Sequence, residues 1–138
     1  MPQKKRGLVV VVEDDEALRE GLVRGLSHEG FSVTSAEDGQ AGLELIERSP
    51  GPFHALVVDL DMPRKRGDEL IYELDAGAIA FSAYVVISGH PIDDPLLQKL
   101  RSHPTRIPLY YFPKPFDVDA LVKLLDELPV TRSKEVNP

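Results

Sequence analysis

The chain is expected to fold as a doubly wound α/β sandwich, a parallel sheet with helices on both faces, and three observations predict it. Short unbroken apolar runs recur along the sequence, segments of helical period lie between them, and capping or stop residues mark the junctions. Continuous rather than alternating apolarity suits parallel strands covered on both faces, and regular alternation of strand with helix builds such a sheet.

The first run, LVVVV from Leu8 to Val12, stops at Glu13, Asp14 and Asp15. Leu18, Leu22 and Leu26 then fall four apart on a first helix, which Gly30 can terminate. Asp15 and Glu16 favour that helix's N-terminus through its dipole. Residues 31–36 alternate apolar with Ser and Thr, the pattern of an edge strand, and Asp38 can cap a second helix. ALVV at 55–58 gives a third strand; Leu70, Ile71 and Leu74 mark a third helix that Gly77 cuts short. YVVI at 84–87 is the fourth strand, and Asp94 followed by Pro95 is a cap and first turn for the fourth helix. LYYF at 109–112 is the fifth strand. Asp117 can cap a fifth helix whose Leu121, Leu124, Leu125 and Leu128 form an apolar stripe. Pro104 and Pro129 stop what precedes them, and the polar residues beyond Pro129 read as a loose tail or the start of a linker.

With 138 residues the chain makes one domain, set here at 6–128 with 129–138 as tail. Its 23 acidic and 16 basic residues give a net charge of −7, so it repels nucleic-acid phosphate and direct nucleic-acid binding is not expected. No cysteine is present, which excludes disulfides and thiolate metal sites. The apolar run behind Lys4, Lys5 and Arg6 is too short for a signal peptide, and no longer one follows. A soluble, cytoplasmic protein without membrane insertion is the expectation.

Chemistry is concentrated where polar residues interrupt the runs. Glu13 and Asp14 follow LVVVV, Asp59 follows ALVV, Ser88 follows YVVI, and Pro113-Lys114 follows LYYF. Strands of a parallel sheet end at one edge, so carboxylates, a hydroxyl and an ammonium converge on the crevice where open α/β sheets bind ligands. Carboxylates 4 Å apart repel by about 4 kcal/mol at an effective dielectric near 20. A hard divalent cation answers that, and magnesium takes one or two carboxylates while leaving room for phosphate oxygens. Asp59 in such a site can attack phosphorus and become an aspartyl phosphate, with Lys114 as a point charge and Ser88 as a hydroxyl donor. Singly, Lys114 also reads as a solvated loop lysine and Ser88 as a strand-end serine; their shared edge gives them weight.

From about Arg6 to Leu128 these residues resemble the receiver domain of bacterial two-component response regulators. VVVVEDDEALRE, AEDGQAGLELI, VVDLDMPRKRG, VVISGH and FPKPF carry the likeness, in that order. The resemblance implies a flavodoxin-like sheet of five parallel strands in order 2-1-3-4-5. It implies that Glu13 and Asp14 hold Mg2+ together with Asp59 and the backbone carbonyl of Asp61. Asp59 is then the phosphoacceptor, Ser88 the switch hydroxyl, Lys114 the phosphate contact, and Tyr111 the aromatic switch that turns from outward to inward. A cis Lys114–Pro115 peptide is implied too. So are a sensor histidine kinase or histidine phosphotransfer domain as phosphodonor and a downstream protein whose identity the sequence does not specify. A homodimer through the fourth helix, fifth strand and fifth helix is a further arrangement open to it. Turnover of a diffusible substrate is not implied. The stretch SHPTRIPLYYF departs from the family's small-residue turn, and Ser88 stands where threonine is commoner.

Three other readings fit less of the pattern. Asp59-Leu60-Asp61 matches the first motif of haloacid dehalogenase-type phosphatases, but the acidic pair here lies upstream rather than downstream. A topoisomerase-primase metal fold would use Glu13, Asp59 and Asp61 yet leave Ser88 and Lys114 idle, and acidic net charge opposes it. A degenerate receiver serving only as a binding module conflicts with a complete set of competent site residues.

Overall fold

The computed structural model describes residues 6–91 and 94–130. Strands β1 (Leu8–Val12), β2 (Ser32–Ala36), β3 (Phe53–Asp59), β4 (Ala83–Ser88) and β5 (Leu109–Pro113) alternate with helices α1 (Glu16–His28), α2 (Gly39–Arg48), α3 (Gly67–Ala76), α4 (Pro95–Ser102) and α5 (Val118–Glu127). The strands form one parallel sheet in the order β2-β1-β3-β4-β5. Both the fold class and the strand order are those expected.

The apolar runs are unbroken because each central strand feeds a core on either side. Val10, Val12, Leu56, Val58 and Val86 face Leu43 and Ile46 of α2, Leu70, Ile71 and Leu74 of α3, and Leu97 and Leu100 of α4. Val9, Val11, Ala55, Val57, Val85 and Ile87 face Leu22 and Leu26 of α1 and Leu121 and Leu125 of α5. Successive strand side chains point to opposite faces, so an alternating sequence would leave one layer without a partner.

The anticipated caps are in place. Asp38, Asp94 and Asp117 accept hydrogen bonds from the amides of Ala41, Leu96 and Asp119 at the starts of α2, α4 and α5. Asp15 does more than complement a dipole: its carboxylate accepts from Leu18 N and caps α1 directly. Gly30, with φ +97°, turns the chain out of α1. The run LYYF taken alone reads as a strand covered on both faces; at the edge position that the expected order gives it, β5 is half-buried at Leu109, Tyr111 and Phe112 and exposed at Tyr110 and Pro113. The expected tail beyond Val130 lies outside the described residues.

Candidate functional site

Register brings the chemistry together. Val12 is paired with Val58, Asp59 with Ile87, and Ser88 with Pro113, so Glu13, Asp59, Ser88 and Lys114 stand at the same edge of four adjacent strands. Backbone bonds fix the strand ends: Glu13 N donates to Ala36 O at 3.1 Å and Lys114 N to Ser88 O at 2.8 Å. Lys114 and Pro115 are joined by a cis peptide, as the resemblance implied.

Oxygens of Glu13, Asp14 and Asp59 lie within 4.8 Å of one another, with Glu13 and Asp59 buried and Asp14 exposed. The Lys114 Nζ is 3.1 Å from Glu13 Oε1 and 3.4 Å from Asp59 Oδ1. One ammonium thus faces three carboxylates. Burial, with the Glu13 charge second, pushes the Asp59 carboxyl up to about 7 despite Lys114. Burial raises Glu13 as well. It works against the Lys114 charge too, but Asp59 and Glu13 outweigh it and hold that ammonium above its ordinary range. A nucleophilic carboxylate must be ionised, so this cluster lacks positive charge. Geometry agrees: Glu13 Oε2 accepts from Asp15 N at 3.0 Å, while buried Oε1 has the Lys114 ion pair but no hydrogen bond. A hard cation with oxygen ligands fits this donor set.

The other expected residues, Ser88, Tyr111 and Asp61, all bond to His90. Ser88 is buried, and its Oγ accepts from His90 N at 2.9 Å. Tyr111 is half-buried against the α2–α3–α4 core rather than turned out to solvent, and its hydroxyl donates to His90 O at 2.6 Å. Asp61 stays out of the acidic cluster among the described residues; its exposed side chain pairs with His90 Nε2.

His90 is one residue the sequence reading missed. Its peptide bridges Ser88 and Tyr111, and its ring bridges Asp61 and the α4 cap Asp94, the latter at 2.9 Å. The only sequence signal is a histidine two positions after the strand-end serine. Arg64 was also missed. Its guanidinium forks onto Asp38 at 2.9 and 3.0 Å.

A buried carboxylate in an acidic cluster, with a lysine beside it at the C-terminal edge of a 2-1-3-4-5 sheet, is the arrangement of a receiver domain. The chain belongs to the response regulator receiver domain family, whose model matches residues 9–126. It is 42% identical over 67 residues to the response regulator RR06 of Streptococcus pneumoniae, an alignment covering 49% of this chain and 30% of that protein. It is 31% identical over 120 residues to the sensor kinase CckA of Brucella abortus, covering 87% of this chain and 12% of that protein. The fold matches that of the response regulator TrrA of Thermotoga maritima, solved in complex with Mg2+ and BeF, with a TM-score of 0.71 and 21% identity over 88% of this chain and 98% of that one. The chain therefore spans a small part of the curated relatives it matches. Among the described residues no helix is long and apolar enough to cross a membrane.

Proposed function

We propose that this chain is a phosphoacceptor receiver, in which Asp59 takes a phosphoryl group from a histidine kinase or histidine phosphotransfer domain and the change is read by another protein. The observation that carries it is the buried Asp59 carboxylate, 3.4 Å from Lys114 Nζ and clustered with Glu13 and Asp14. An Asp59 oxygen attacks phosphorus, the bond from phosphorus to the donor's imidazole nitrogen breaks, and the imidazole keeps the electron pair. Lys114 neutralises charge on the transferred oxygens. Glu13, Asp14, Asp59 and the Asp61 carbonyl would hold Mg2+, which supplies further charge stabilisation when bound. The chain assists its own phosphorylation and dephosphorylation and turns over no diffusible substrate.

The phosphoryl group brings roughly −1.5 to −2 charges and new acceptor oxygens, to which the Ser88 hydroxyl can donate. Turning Ser88 Oγ loosens the His90 amide it accepts from, and the His90 carbonyl holds Tyr111. The signal thus reaches the α4–β5–α5 face, the surface offered to the downstream protein or to a second copy. Incubation with an acyl phosphate and Mg2+ is expected to add one hydroxylamine-labile phosphoryl group. Labelling of Asp59→Asn to the wild-type extent on the same peptide would falsify the assignment.

A further inference from the structure

Arg64 lies in the β3–α3 loop with left-handed backbone, φ 69°. That conformation is disfavoured for a residue with a side chain and open to glycine. Two contacts hold it there: the Lys65 amide donates to the Pro63 carbonyl across it at 2.7 Å, and the guanidinium forks onto Asp38, Nε to Oδ2 at 2.9 Å and an Nη to Oδ1 at 3.0 Å. Asp38 is buried, and its Oδ1 also accepts from Ala41 N at 2.8 Å as the α2 cap. Burial alone would raise this carboxyl; the Ala41 amide and the Arg64 guanidinium outweigh it and hold it below the ordinary range. Backbone contact reinforces the junction, since a Cβ on Gly39 would stand 2.1 Å from Lys65 O. The neighbouring cations Lys65 and Arg66 pair instead with Glu73 and Asp68 of α3. Arg64 is thus the cation of this loop that crosses to α2.

The same loop carries the Asp61 carbonyl. We propose that Arg64 and Asp38 are positioning residues for the cation: by clamping the β3–α3 loop to α2 they hold the Asp61 carbonyl at the carboxylate cluster. This rests on the metal reading above. Outer partners that orient a ligand commonly set affinity, and coupling between two sites is reciprocal, so cation binding should tighten the α2 N-terminus in turn.

The test is magnesium titration of the full chain, with amide exchange read at Ala41. Arg64→Gly removes the fork and relieves the backbone; Asp38→Asn keeps a capping oxygen and removes the charge. Each is expected to weaken magnesium binding roughly tenfold. The cation-free melting midpoint of Arg64→Gly should stay close to that of the wild type. Magnesium should raise protection of the Ala41 amide in the wild type and not in Arg64→Gly, a response that a merely structural pair would not lose. Asp14→Asn serves as the control for the site itself. Wild-type affinity in both pair variants, with binding lost in Asp14→Asn, overturns the clamp and leaves the metal site standing. An unchanged Ala41 response in Arg64→Gly also overturns the clamp. A wild type that binds no magnesium overturns both.

Discussion

His54 shows what a single residue can carry without announcing itself in the sequence. It is fully buried, with Nε2 2.7 Å from Leu125 O of α5 and its ring stacked on Phe31 at 6.1 Å. The Nε2–H tautomer satisfies that carbonyl and leaves Nδ1 without a partner, so a proton added there finds no acceptor. Burial is the main cause of a lowered pKa; nearby Arg6 adds to it, while the Leu125 carbonyl and Asp126 oppose it. The unfolded chain therefore binds the proton first as pH falls below the ordinary 6.5, and stability declines from there down to the depressed native value. In urea unfolding from neutral to mildly acid pH, His54→Phe should show a shallower loss than the wild type; parallel curves would remove His54 from the acid response. The residues assigned to the proposed chemistry were legible because each stands one or two positions past the end of an apolar run. Those that tie them were not, because their partners are remote: Arg64 lies 26 positions from Asp38, His90 29 from Asp61, and His54 71 from Leu125. Spacing rules reach about one helical turn or one cross-strand pair, well short of these separations.

At the scale of elements, hydrophobic period and capping chemistry located every strand and helix, because local preference and final environment agree along this chain. Coverage is less legible than position: LYYF has the composition of a central strand, yet its place at the end of the sheet order leaves Tyr110 exposed. The connections are tighter than the sequence shows. Gly67 opens α3 where a Cβ would stand 2.2 Å from Asp59 O, and its amide donates to Leu60 O at 3.0 Å. The atom in the way is backbone, with no flexible side chain to yield. Gly67→Ala is therefore expected to cost about 3 kcal/mol in urea unfolding and to slow Asp59 labelling. A variant as stable as the wild type would show that the loop can withdraw from the strand end.

Taken whole, the molecule is two apolar cores separated by one sheet, with its chemistry along a single edge. Its acidic balance sets what it repels, and it took the structure to show that the basic run Arg64, Lys65 and Arg66 is paired with Asp38, Glu73 and Asp68. The sequence contains no tryptophan and four tyrosines, so emission excited in the phenol absorption band comes from those tyrosines. Their settings differ: Tyr72 buries a hydroxyl with no hydrogen-bond partner and its ring lies 5.4 Å from that of His103, Tyr84 donates to Asp75 at 3.0 Å inside the core, Tyr110 is solvent-facing, and Tyr111 donates to the His90 carbonyl within the proposed switch. A phenol's emission responds to its hydrogen-bond acceptor, so the protein carries its own optical reporter beside an exposed internal reference. Addition of beryllofluoride and Mg2+ should change the tyrosine emission of the wild type. Tyr111→Phe should abolish that change, and Ser88→Ala should diminish it while the ligand still binds. An undiminished change in Tyr111→Phe would place the moving phenol elsewhere; otherwise unlabelled protein in a cuvette is enough to follow the switch in real time.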